Sequence, residues 1–291
     1  MSITVETRQV VTQSDGAVTA VYSIGAGAVV LFVNGWALSR RYWQLAIDSL
    51  SDDYACVTFD ARGVGESRPI PPDASVTITR LAEDIAAIAD TVSPATPVHL
   101  VAHSNGCLSA VRYAGTHPER VASLTIINVG IFPFNPRQVS ALRAFTKLTV
   151  RLRRLTATAV GRGYMVKFVT QRPVAKEYAR ILADDFATTE APAALEAALS
   201  SLNRDDLAHY EADIGAVRAA GKPLLLIVGK NDRTIPPAGM RNLYNAMPGS
   251  TLVTFAPCGH FPMLEQRPAF VQTLRAHLDG TLARGGELHA P

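Results

Sequence analysis

Six short, mainly apolar runs limit what this chain can fold into: Ala28–Val33, Tyr54–Phe59, Val98–Ala102, Val121–Val129, Leu224–Val228 and Thr251–Phe255. Runs of this length and apolarity read as strands buried on both faces of a sheet. Helical segments separate them. Ile78, Leu81, Ile85, Ile88 and Val92 recur at near-3.6 spacing. A helix is expected from Ser39, placed as its N-cap, to Leu50, another from Pro236-Pro237, and a last one from Pro268 to a stop at Gly280. Residues 3–23 alternate polar and apolar around Ser14-Asp15-Gly16, as in a hairpin at a sheet edge. Strand–helix repetition of this kind predicts an α/β fold, a mostly parallel, doubly wound sheet covered on both faces.

Residues 131–215 break the rhythm, with helical stretches and no strand-like run. They read as a helical insertion between two parts of one core, 1–130 and 216–291, the second ending in a short tail expected to be mobile. Between Val129 and Lys176 there is no Asp or Glu, but Arg137, Arg143, Lys147, Arg151, Arg153, Arg154, Arg162, Lys167, Arg172 and Lys176 are basic. Such a run is either a solvated helix face or a positive field drawing an anionic substrate, a carrier protein or a membrane surface. Phe132, Phe134, Phe145, Tyr164 and Phe168 read as cores and pocket walls of the insertion, not as nucleic-acid stacking platforms.

With 291 residues, 48% of them hydrophobic and 18% charged, the chain can bury a large core and is not of disordered type. Its N-terminus lacks the basic-then-apolar layout of a secretory signal, and no run reaches membrane-spanning length. Cys56, Cys107 and Cys258 have no metal-ligand spacing and read as buried thiols, which points to a reducing cytoplasm. No cluster of His, Cys and carboxylates suggests a metal. The glycines of Asp60-Ala61-Arg62-Gly63-Val64-Gly65-Glu66-Ser67 lack the lysine or spacing of a phosphate cradle, so Asp60 and Arg62 are assigned to pinning the loop.

The chemistry centres on Ala102-His103-Ser104-Asn105-Gly106, where an apolar run turns at once into a small-residue helix start. Small residues two before and two after a serine are what a nucleophile elbow needs, since the turn presses the flanking backbones together. Two later runs end in Gly229-Lys230-Asn231-Asp232 and in Pro257-Cys258-Gly259-His260-Phe261. Parallel strands bring their C-terminal loops to one edge, so a hydroxyl, a carboxylate and an imidazole converge there. Ser104, Asp232 and His260 are therefore the candidate nucleophile, orienting acid and base. His103 and Asn105 flank the serine, Glu265 reads as a salt-bridge partner near His260, His99 as strand-packed, His117 as a helix terminus, and Cys258 as a buried filler.

Through Asn34-Gly35-Trp36, the Asp60–Ser67 turn, the elbow, Gly229-x-x-Asp232 and Gly259-His260-Phe261, the chain resembles the α/β-hydrolase fold superfamily over nearly its whole length. Asn34 stands where that family usually has histidine, and Ala102 where glycine is commoner. The resemblance implies an oxyanion hole from the backbone N–H groups of Trp36 and Asn105, and a helical cap at 131–215. It implies a cofactor-free serine hydrolase acting on a carboxylic ester or thioester. Carbon–carbon bond hydrolysis, cofactor-free lyase, cyclase or oxygenase chemistry through His260, and ligand reception stay open on the same residues. Asn34, His103, Phe132, Phe134, Tyr164 and Phe261 are candidate pocket residues for a hydrophobic acyl or ring substrate.

Overall fold

A computed structural model describes residues 6–290, the side chains of residues 204 and 207 excepted. The first half comprises β1 (Thr7–Thr12), β2 (Val18–Ile24), β3 (Val29–Val33), α1 (Gln44–Leu50), β4 (Ala55–Phe59), α2 (Ile78–Val92), β5 (Val98–His103), α3 (Gly106–Thr116) and β6 (Val121–Ile127). Five helices follow without a strand: α4 (Pro136–Leu152), α5 (Ala159–Val169), α6 (Lys176–Thr188), α7 (Ala191–Ser200) and α8 (Arg204–Ala219). The chain then forms β7 (Leu224–Gly229), α9 (Pro237–Ala246), β8 (Thr251–Phe255), α10 (Pro262–Glu265), α11 (Arg267–Leu278) and β9 (Gly286–His289).

The strands make one sheet in the order β1-β2-β4-β3-β5-β6-β7-β8-β9. The β1–β2 hairpin joins antiparallel, and every pairing from β4 to β9 is parallel. Hairpin residues 3–5 lie outside the described residues. Strand period sorts the apolar runs into two cores. Leu31, Val33, Leu100, Ala102, Leu124, Ile126, Leu226 and Val228 pack under α2, α3, α8 and α9. Val30, Phe32, Val101, Ile127, Leu225, Ile227, Val253 and Phe255 pack against α1, α6 and α11. Each fully buried side chain of this size contributes about 1.5–3 kcal/mol, so the central strands anchor the molecule.

Two local expectations are corrected. The tail after Gly280 is not loose, because Gly286–His289 adds a parallel edge strand to β8. Its composition hid it: an edge strand needs only one inward side chain, here half-buried Leu288. Ser39 makes no cap bond. Its hydroxyl donates to Asp185 of α6 at 2.6 Å, and the chain enters α1 through a 3-10 turn at Arg40–Trp43. Helix α8 runs from 204 to 219, across the end of the expected insertion, and its Tyr210, Ile214 and Val217 belong to the first core.

The glycine-rich turn is pinned as expected. Asp60 accepts from the N–H groups of Arg40 (2.8 Å) and Glu66 (2.9 Å). Gly65 has φ +51°, and a Cβ there would lie 2.0 Å from the Asp60 carboxylate, so a side chain is excluded. Arg62 is fully buried and grips Asp84 through both ends of its guanidinium, with Nη2–Oδ1 at 2.6 Å. Asp84→Ala leaves that buried cation to Asp15, which holds only its Nη1 end, and is expected to cost about 3 kcal/mol in urea unfolding.

Buried histidines give the fold an acid limit. Burial lowers the pKa of His277 to about 4, with His99 adding to the effect. Below the ordinary histidine value of about 6.5 the unfolded chain binds a proton that the folded chain refuses, so stability falls with pH down to about 4. Between pH 6.5 and 5 this group alone should remove about 2 kcal/mol from the unfolding free energy. His277→Asn should flatten that part of a urea-denaturation pH series.

Candidate active site

The loops after β5, β7 and β8 meet at the sheet's C-terminal edge. Ser104 ends β5 with φ +53°, a left-handed conformation a serine adopts only where its surroundings force it. The cause is the close seat of α3: a Cβ on Gly106 would lie 2.2 Å from the Asn34 carbonyl oxygen. Ser104 Oγ lies 3.0 Å from His260 Nε2, and His260 Nδ1 lies 2.6 Å from Asp232 Oδ2. The other Asp232 oxygen accepts from the N–H groups of Thr234 (2.7 Å) and Ile235 (3.0 Å), which fixes the carboxylate. Nδ1–H of His260 donates to this carboxylate, leaving Nε2 to accept the serine proton.

The loop after β3 lies alongside. A Cβ on Gly35 would come within 3.4 Å of Ser104 Cβ, placing the next residue, Trp36, beside the elbow. Among the described residues, the backbone N–H groups of Trp36 and Asn105 donate to no protein atom. The Trp36 indole donates to the Ala194 carbonyl of α7 at 2.7 Å, and its ring meets Phe186 edge to face.

A sequence profile of the α/β-hydrolase fold family matches residues 28–266. The chain belongs to this family. It is 27% identical over 276 residues to the dihydrolipoyllysine-residue acetyltransferase component of the acetoin cleaving system of Cupriavidus necator, covering 88% of this chain but 65% of that protein. A pimeloyl-[acyl-carrier protein] methyl ester esterase of Neisseria meningitidis is 26% identical over 259 residues, covering 87% of this chain and 77% of its own. Among solved structures, an esterase of Exiguobacterium antarcticum superposes with TM-score 0.79 at 20% identity, over 94% of this chain and all of that one (100%). The chain spans only 22% of a Mycobacterium tuberculosis relative.

In this α/β-hydrolase the remaining pocket candidates lie elsewhere than expected. Asn34 is buried behind the loop, its amide donating to the Phe59 carbonyl (2.6 Å) and accepting from the Trp43 indole (2.9 Å). The carboxamide thus joins β3 to β4 without facing the serine. His103 is fully buried, and so is Phe261, packed on Tyr42 and His103. Phe132 stacks on Phe134 and wedges its ring over Gly239 of α9, where a Cβ would lie 2.1 Å away. Tyr164 is 75% exposed on the outside of α5, and Phe134, Phe145 and Phe168 are exposed too, so these aromatics form no core. Helical spacing identified a face in them but not a partner for it.

One supporting residue escapes the sequence reading, and another has different partners from those expected. Asn128, at φ +49° beyond β6, accepts from the Gly229 N–H (2.8 Å) and donates to the His260 carbonyl (2.8 Å), so one amide ties the end of β7 to the His260 loop. An Asn as the one polar amide near the end of the Val121–Val129 run, where left-handed backbone is tolerated, is the available signal. Glu265 forms no salt bridge among the described residues. It accepts from the N–H groups of Gly259 (3.0 Å), Phe261 (3.2 Å), Gln171 (2.7 Å) and Arg172 (2.8 Å), and so joins the His260 loop to the segment after α5. Val169 completes that junction by accepting the His260 N–H at 2.8 Å.

His103 links the same parts from inside. Its Nε2 faces the His260 carbonyl at 2.8 Å and must donate, so its Nδ1 accepts from the Tyr42 hydroxyl at 3.3 Å, which itself accepts the Gly35 N–H at 3.0 Å. Burial holds the His103 pKa well below its usual value, which keeps the ring neutral in that role. Glu265→Ala leaves several buried N–H groups without an acceptor. It should cost about 1–3 kcal/mol by urea unfolding, and faster amide exchange at Gly259 and Phe261 should accompany the loss.

Proposed function

We propose that this protein is a cofactor-free serine hydrolase that cleaves a carboxylic ester or thioester through an acyl-enzyme on Ser104. The hydrogen-bonded line from Ser104 through His260 to Asp232 carries this reading. His260 Nε2 takes the hydroxyl proton as Oγ attacks the acyl carbonyl, and Asp232 holds the imidazole's tautomer and stabilises its cation. The carbonyl oxygen becomes an oxyanion held by the Trp36 and Asn105 N–H groups, which no protein acceptor occupies. The tetrahedral intermediate expels the alcohol or thiol, which takes the proton from His260. Water, deprotonated by the same nitrogen, then releases the acid and frees Ser104.

Serine is preferred to cysteine as nucleophile on electrostatic grounds. Cys107 and Cys258 lie near the site, but burial pushes both thiols far above their ordinary pKa, so neither supplies a thiolate. Helices from 131–215 serve as the cap: α7 receives the Trp36 indole, and α6 receives Ser39 through Asp185. A hydrophobic acyl group suits a site roofed by Trp36 and Phe186. The Neisseria relative, named for a methyl ester esterase, agrees with the ester class.

A fluorophosphonate probe read by intact mass tests the proposal. One adduct is expected on the wild type and none on Ser104→Ala or His260→Ala. Ester turnover should fall about 10⁶-fold in those variants and about 10⁴-fold in Asp232→Ala. Absence of an adduct on folded wild-type protein, or turnover surviving in Ser104→Ala, overturns the assignment.

A further inference from the structure

The outer side of α4 and α5 combines two features that a protein facing only water avoids. Phe145, Leu148 and Leu152 line one face of α4, and Val160, Tyr164 and Phe168 line one face of α5. These six side chains are between 46% and 75% exposed, whereas Met165 and Val169, one position further round α5, pack inward on the second core. Both helices thus hold apolar stripes away from the protein.

The charge around the stripes is of one sign. None of the ten cations between Arg137 and Lys176 forms an ion pair among the described residues, although arginines elsewhere pair repeatedly with carboxylates. On the outer side of α5 and α6 a cavity of about 460 Å³ is lined by Arg162, Lys167, Arg172, Lys176 and Arg180, with no acidic residue in its wall. A second copy of the chain would oppose cation to cation on this face. Exposed apolar side chains set among unpaired Lys and Arg are the composition of a helix lying in a lipid interface.

We propose that α4 and α5 form a docking surface for an anionic phospholipid membrane, with the apolar stripes entering the headgroup boundary and the cationic groove holding lipid phosphates. This assignment is independent of the chemistry at Ser104. Its position gives it consequence, since α5 ends at Val169, whose carbonyl accepts the His260 N–H.

Co-sedimentation with vesicles of phosphatidylcholine containing a quarter phosphatidylglycerol, against phosphatidylcholine alone, tests it at about 0.1 M salt. Wild-type protein should partition at least tenfold more strongly onto the anionic vesicles. Each basic side chain at such a surface is worth about fivefold in partitioning, so Lys147→Glu with Lys167→Glu should lose at least tenfold. Tyr164→Ser with Phe168→Ser should lose as much while melting with the wild type. Phe145→Ser with Leu148→Ser on α4 repeats the test if the first pair melts early. Equal binding to both vesicles, or apolar variants that bind like the wild type, overturns the proposal. So does a wild-type dimer in sedimentation velocity that Tyr164→Ser with Phe168→Ser dissociates, or wild-type protein that stays in the supernatant.

Discussion

The seating of α3 against the loop after β3 is the constraint on which the site depends. Gly106 approaches the Asn34 carbonyl so closely that no side chain fits, and that approach forces Ser104 into the left-handed region. The strain is sustained because both neighbours are buried in well-packed elements: Ala102 and Cys107 have no exposed surface. Ala102 in place of glycine is compatible with this seat, since its methyl points into the first core with Leu100 and Val33. The same contact brings the loop that carries Trp36 beside the serine, so one packing decision sets the places of Ser104, Asn105 and Trp36.

Placing His260 is a separate problem, solved by hydrogen bonds to its backbone. Its carbonyl accepts from Asn128 and His103, and its N–H donates to Val169. Three elements distant in sequence therefore hold the two peptide groups that flank His260, and the imidazole is left free to bond Asp232 and Ser104. Buried bonds of this kind contribute about 0.5–1.5 kcal/mol each but cost more when one partner is removed, which favours a single arrangement over a mobile loop. The Gly35–Tyr42–His103 chain adds a direct mechanical link between the loop beside Ser104 and the loop of the base.

How far the sequence reveals this depends on whether a residue's role is local. Strands buried on both faces announce themselves by composition, and parallel order then brings Ser104, Asp232 and His260 to one edge without further information. Asn128, Glu265 and His103 act on partners dozens to more than a hundred residues away, and no period or spacing encodes those bonds. Asn34 shows the converse error. Its place beside the active loop suggests a pocket residue, yet its amide points to Phe59 and Trp43. The β9 strand stays hidden because an edge needs few apolar residues, and the aromatics of 131–215 look like core because periodicity gives a face without saying what it meets.

The exposed aromatics of α4 and α5 stand among charges of one sign. In the core, charge is placed to be neutralised: Arg62 is clamped by Asp84, and Arg112 reaches Asp213 across α3 and α8. From Val129 to Lys176 the chain supplies cations and no carboxylate, so self-repulsion opposes the compact arrangement of α4 and α5. A surface that is both apolar and repulsive contributes little to its own folding, and its composition therefore calls for something outside the fold that relieves both terms at once. The Val169 and Glu265 bonds carry α5 and the residues after it to within one peptide of His260, so whatever settles on this face rests against the frame that positions the base.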